Sequence, residues 1–114
     1  MDHNTPQEKI VNYFKNKKIL IHGLGLNIGG LSSSLFFLKN NIPITITDLK
    51  SEEFLIDSIN KLQAYSHLIT FHLGEHLESD FLNSDIIVKG PGVDPNNNKY
   101  LQLAKSKGAW IATD

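Results

Sequence analysis

The sequence predicts an α/β domain in which five strands form one parallel sheet of order 3-2-1-4-5, and three observations predict it. Short apolar runs such as Ile44-Thr45-Ile46-Thr47 recur along the chain, each small enough to be one buried strand. Between them lie segments with apolar residues at helical spacing, so strand and helix alternate. The first run is followed directly by Gly23-Leu24-Gly25-Leu26-Asn27-Ile28-Gly29-Gly30, a glycine-rich turn leading into a helix. A length of 114 residues suits a single domain spanning 1–114, and 40% hydrophobic residues with 8 Gly is too apolar for a disordered chain.

Thr5-Pro6-Gln7-Glu8 combines a cap hydroxyl, a proline at the first helical position and an acid three residues after the cap, so a short helix opens the chain. Lys18 to His22 is the first strand, stopped by Gly23. From Gly30, Leu31, Leu35 and Leu38, joined by Phe36 and Phe37, mark a helix that Asn40, Asn41 and Pro43 end. Ser32, Ser33 and Ser34 within it are read as small residues that let the helix approach the sheet. Ile44 to Asp48 is the second strand, and Glu52 to Leu62 a helix with Leu55, Ile59 and Leu62 on one side. Leu68 to His72, Asp85 to Lys89 and Ala109 to Ala112 complete the strands. A helix from Asn96 to Lys107, with Leu101 and Ala104 inward and Gly108 at its end, precedes the last. Right-handed crossovers between such strands give a Rossmann-like, three-layer arrangement.

Charge and composition narrow the function. The net charge is −1, with 11 Lys, no Arg and no basic face, which argues against nucleic acid. No apolar run approaches the roughly 20 residues that span a bilayer, and the first residues lack the pattern of a signal peptide, so a cytoplasmic protein without a membrane partner is expected. With no Cys, thiolate metal sites and disulfides are excluded. Without Arg, phosphate must be met by backbone N–H groups or by Lys.

In an open parallel sheet a ligand lies beyond the C-terminal strand ends, where neighbouring connections diverge. The glycine loop can present N–H groups and a helix N-terminus to an anion, a diphosphate above all, or can be a tight turn. Its spacing departs from the dinucleotide fingerprint, because Ile28 stands where the third glycine belongs. Asp48 can accept hydrogen bonds from a ribose or a base N–H, or can cap a helix within Asp48-Leu49-Lys50-Ser51. Gly90-Pro91-Gly92-Val93-Asp94-Pro95 is a stiff loop beside the first, or a bare turn. His72 and His76 read as parts of a polar loop rather than a metal site, for want of a third ligand. His22 reads as a hydrogen-bonded structural histidine rather than a base.

Taken in order, Lys18-Ile19-Leu20-Ile21-His22-Gly23-Leu24-Gly25, Thr45-Ile46-Thr47-Asp48-Leu49-Lys50, Leu73-Gly74-Glu75-His76, Ser84-Asp85-Ile86-Ile87-Val88-Lys89-Gly90-Pro91-Gly92 and Gly108-Ala109-Trp110-Ile111 resemble the N-terminal domain of the MurD-type Mur ligases. The resemblance implies a domain that holds the UDP part of UDP-MurNAc-L-alanine, in a cytoplasmic enzyme of peptidoglycan precursor synthesis. It implies that backbone N–H groups of Leu26, Asn27, Ile28 and Gly29 meet the diphosphate. Asp48, with Leu49 and Lys50, would hold the uracil, and Gly90, Pro91 and Gly92 would border the uridine and sugar. In such enzymes ATP and Mg2+ act in later domains of the same chain: ATP phosphorylates the substrate carboxylate, and the D-glutamate amine displaces phosphate. Two features depart from the pattern, a longer glycine loop and Gly90 in place of the usual serine. No Gly-x-x-Gly-Lys-Thr or Ser phosphate loop occurs here, so 1–114 is expected to be the first domain of a longer ligase and inactive alone, with no catalytic residue and no cofactor of its own. The alternatives are a stand-alone NAD(P)-binding regulatory domain and an interaction module without ligand.

Overall fold

Five strands pair side by side, all parallel, in the order β3-β2-β1-β4-β5 that the sequence predicts. The structure is a computed structural model and describes residues 3–24, 29–90 and 93–113. The strands are β1 (Ile19–His22), β2 (Ile44–Asp48), β3 (Ile69–Leu73), β4 (Ile86–Lys89) and β5 (Trp110–Thr113). The helices are α1 (Pro6–Phe14), α2 (Gly29–Lys39), α3 (Ile56–Lys61), α4 (Glu78–Leu82) and α5 (Lys99–Ser106), with 3-10 turns at Gln63–Leu68 and Pro95–Asn97.

Every residue of β1 and β4 is buried, because the central strands are covered on both faces, which is why they read as unbroken apolar runs. On one face Ile19 and Ile21 of β1, Ile44 and Ile46 of β2, and Ile86 and Val88 of β4 pack with Phe37 and Leu38 of α2 and with Leu62. On the other, Leu20 and Ile87 pack with Phe81 of α4 and Leu101 and Ala104 of α5. Each such side chain contributes about 1.5–3 kcal/mol by leaving water, so the two clusters fix the three layers.

Helix ends follow from local chemistry. The Thr5 hydroxyl accepts from Glu8 N–H at 3.1 Å and starts α1 as expected. Asn41, with φ +60°, ends α2: its N–H donates to Leu38 C=O at 3.0 Å, and Ile42 N–H donates to Phe37 C=O at 2.9 Å. Ile42 and Phe37 are both buried in the first cluster, so the turn is held by packing as well. Gly108, φ +95°, ends α5 in the same way, with Gly108 N–H on Lys105 C=O and Ala109 N–H on Ala104 C=O.

Four expectations need correction. The helix over Glu52 to Leu62 is shorter, because residues 52–55 form a turn in which Leu55 N–H reaches Ser51 and Glu52 C=O, and the chain continues past Lys61 as a 3-10 turn. The helix from Asn96 is split, since Asn98 has extended backbone and its side-chain oxygen accepts from both Tyr100 and Leu101 N–H at 3.1 Å, restarting the helix at Lys99. The first and fourth strands begin one residue late, because Lys18 N–H is taken by the Asp85 carboxylate at 2.7 Å, and the third and fifth both start and end one residue later than expected. Of the three serines only Ser34 is buried, its hydroxyl donating to Gly30 C=O at 2.6 Å, whereas Ser32 is exposed. Because Asn98 satisfies two otherwise orphaned donors, Asn98→Ala is expected to cost about 1 kcal/mol, read as a lower urea midpoint. An unchanged midpoint would show that α5 does not depend on this cap.

Candidate functional site

The exits of β1, β2 and β4 meet at one edge of the sheet, and their contacts begin with a single carboxylate. Asp48, the last residue of β2, is 8% exposed. Its Oδ2 accepts from Leu24 N–H at 2.8 Å and its Oδ1 accepts from Lys50 N–H at 2.8 Å. The first bond ties β2 to the start of the glycine loop, and the second closes its own turn. The helix-capping alternative for Asp48 does not hold, since α3 starts only at Ile56 and Leu55 occupies its cap.

Gly23 leaves β1 with φ +101° and donates to Thr47 C=O at 2.8 Å, extending the β1–β2 ladder by one bond. α2 then returns so closely that a Cβ on Gly30 would lie 2.0 Å from the Gly23 carbonyl oxygen. Glycine is therefore required at position 30 for close approach of backbone to backbone. Gly29 is the first residue of α2. Leu26, Asn27 and Ile28 lie outside the described residues, as do Gly25, Pro91 and Gly92. Leu49 is 64% exposed, and the Lys50 ammonium sits 5.0 Å over the ring of Phe54, itself exposed. Gly74 N–H donates to both Asp48 and Lys50 C=O, so the end of β3 supports this turn. Gly90, the first residue beyond β4, accepts from Val93 N–H at 3.2 Å. Among the predicted site residues that are described, Gly29, Asp48, Leu49, Lys50 and Gly90 all sit at this C-terminal edge.

Register reveals a polar row that the linear sequence hides. His72, Thr47, His22, Lys89 and Thr113 are successive partners across the five strands, so they share a face. His76 lies on this row: its Nδ1 is 2.7 Å from Thr47 Oγ1, and its Nε2 is 3.3 Å from His22 Nε2. His22 is thus hydrogen-bonded as the sequence suggests, but its Nδ1 is buried with no partner among the described residues. Burial, then His76, and also Lys89 push the His22 imidazole down to about 4, against the opposing pull of Asp48. His76 is lowered too, chiefly by burial. His72 takes a different partner, Asp80, at 2.6 Å, so the two loop histidines are not directed at one point. Thr47 and Lys89 carry no motif. The only sign of them in the sequence is a polar residue ending an apolar strand.

Residues 17–113 match the family model described as the Mur ligase MurD-like N-terminal domain. A UDP-N-acetylmuramoylalanine–D-glutamate ligase of Borreliella burgdorferi is 50% identical over 96 residues, 84% of this chain and 21% of that protein. The enzyme of the same name from Treponema pallidum is 38% identical over 100 residues, 88% of this chain and 19% of that protein. The chain thus spans about a fifth of the length of the curated relatives it matches. Among solved structures, SirC, a precorrin-2 dehydrogenase, superposes with a TM-score of 0.57 at 20% identity, covering 97% of this chain and 48% of that one, a likeness of fold.

Proposed function

The chain belongs to the Mur ligase MurD-like N-terminal domain family, and on that premise we propose that residues 1–114 form one domain holding the uridine diphosphate of UDP-MurNAc-L-alanine. The proposal places it, in cis, in a cytoplasmic ATP-dependent ligase that adds D-glutamate. The observation that carries the reading is the Asp48 carboxylate, which ties the exit of β2 to the glycine loop at the C-terminal edge. Each Asp48 oxygen accepts one backbone N–H and keeps a further acceptor position for the uracil N–H. Leu49 and Lys50 flank the base, backbone N–H groups of Leu26, Asn27, Ile28 and Gly29 meet the diphosphate, and Gly90, Pro91 and Gly92 border the uridine and sugar. The residues here do not fit ATP and Mg2+, since no Gly-x-x-Gly-Lys-Thr or Ser segment is present. In this reading the phosphoryl step belongs to other domains.

Thermal unfolding of the 114-residue chain with UDP, UDP-MurNAc-L-alanine or NAD tests the reading. A ligand at a hundred times its Kd stabilises the native state by about 2.7 kcal/mol, so the two uridine nucleotides are expected to raise the melting temperature and NAD to leave it unmoved. A larger shift with NAD would indicate a dinucleotide domain, and no shift with any of the three an interaction module. Either result overturns the proposal. Asp48→Ala is expected to weaken UDP about ten- to a hundredfold, the loss of a charge-assisted bond. Pyrophosphate should weaken less, through the loosened Leu24 tether alone. Unchanged UDP titration curves would remove Asp48 from the site.

A further inference from the structure

Lys89 ends β4 only 6% exposed, and among the described residues its ammonium has one hydrogen-bond contact, the Gly90 carbonyl at 3.4 Å. Among the described residues no carboxylate forms an ion pair with it; the pair that does form there is His72 with Asp80. A buried ammonium without an anion is costly, and a ligand that brings the anion removes the cost. Its contact with Gly90, the first residue past the strand, keeps the ammonium at the C-terminal edge rather than among Leu20, Phe81 and Ile87. That edge between β1 and β4 is where the strand order reverses, the position at which open α/β sheets take their ligands. Its register partner on β1 is His22, whose Nδ1 is buried with no hydrogen-bond partner among the described residues. The sequence has no Arg, and two other lysines toward this edge, Lys50 and Lys99, stand over the rings of Phe54 and Tyr100. A cation held by one long carbonyl contact and a buried imidazole nitrogen thus adjoin the crevice.

We infer that Lys89 is the side chain that neutralises phosphate in this crevice, its ammonium taking the anionic oxygens of the ligand's diphosphate, with His22 Nδ1 as the adjoining polar atom. The inference rests on the reading that the crevice takes a nucleoside diphosphate, and it assigns the charge of that ligand to one residue.

Calorimetric titration of the 114-residue chain and of Lys89→Met, with UDP and with uridine at low and high salt, tests it, alongside urea unfolding of both free chains. Lys89→Met is expected to weaken UDP about ten- to a hundredfold, leave uridine unchanged and flatten the salt dependence of UDP binding. The urea midpoint of the free variant should be equal or higher, because an unpaired buried charge has gone, and Lys89→Arg should restore part of the UDP affinity. Equal UDP affinity in Lys89→Met while the parent chain binds UDP would overturn the role of Lys89 and leave the nucleotide reading standing. Equal losses for UDP and uridine with a lower midpoint would make Lys89 structural, and also overturn it. Absence of UDP binding by the folded parent chain would remove both.

Discussion

Gly30→Ala is expected to destabilise the fold by about 3 kcal/mol or more and to abolish nucleotide binding along with it. A Cβ at this position would stand 2.0 Å from Gly23 O, 3.0 Å from Gly23 C and 3.3 Å from Leu24 Cα. All three are backbone atoms, so no rotamer can relieve the overlap, and the strand exit or the helix start must move. Neither is free to do so. Gly23 is tied to Thr47 C=O, Leu24 is tied to Asp48, and α2 is anchored by Phe37 and Leu38 in the core. Gly90→Ala is the control, because a Cβ there meets nothing within 4 Å among the described residues and the residue needs no left-handed backbone. Urea unfolding should give a lower midpoint for Gly30→Ala and a parental one for Gly90→Ala. Equal midpoints for the two variants would mean that α2 can slide away from Gly23 without cost.

The difference between those two glycines also shows what the sequence could reveal. Both stand in glycine-rich loops after buried strands, and composition alone treats them alike. Strands were legible because burial on both faces leaves a continuous apolar run, and β2 coincides with its expected bounds because Pro43 and Asp48 close it. α4 was not legible, since a five-residue helix shows no repeat, although its Phe81 is wholly buried and anchors one core cluster. In the site, Asp48 was legible as an acid at a strand end. That its Oδ1 holds Lys50 is a local matter, but that its Oδ2 holds Leu24 depends on a contact across 24 residues. The pairing of His22 with His76 spans 54 residues, and only the register of β1 with β2, which places Thr47 beside His22, brings the second imidazole into place.

Burial of His22, and then its pairing with His76, makes the chain acid-sensitive, and the largest pH effect is expected from His22. Its ring is buried, shares one edge with His76 Nε2 at 3.3 Å and lies edge-on to Phe81, with centroids 5.4 Å apart. Protonation would put a cation among these groups, next to Lys89 and with only Asp48 in opposition, so the folded chain keeps the ring neutral down to about pH 4. An unfolded chain takes up that proton near pH 6.5, so between these values the unfolded state binds more protons and stability falls as pH falls. Above pH 6.5 the contribution is complete, and a shift of this size corresponds to about 3 kcal/mol lost by pH 4. His76, shifted in the same direction, adds to the loss in the same range. Replacing the ring by an apolar one removes the titrating group and the orphaned Nδ1 together. His22→Phe is therefore expected to lose markedly less stability than the parent chain between pH 7.5 and pH 4.5, measured by urea unfolding at each pH. The two proteins differ at this position alone, so the difference between them isolates the imidazole. Parallel loss of stability in parent and variant across this window would show that the His22 ring does not resist protonation in the folded chain.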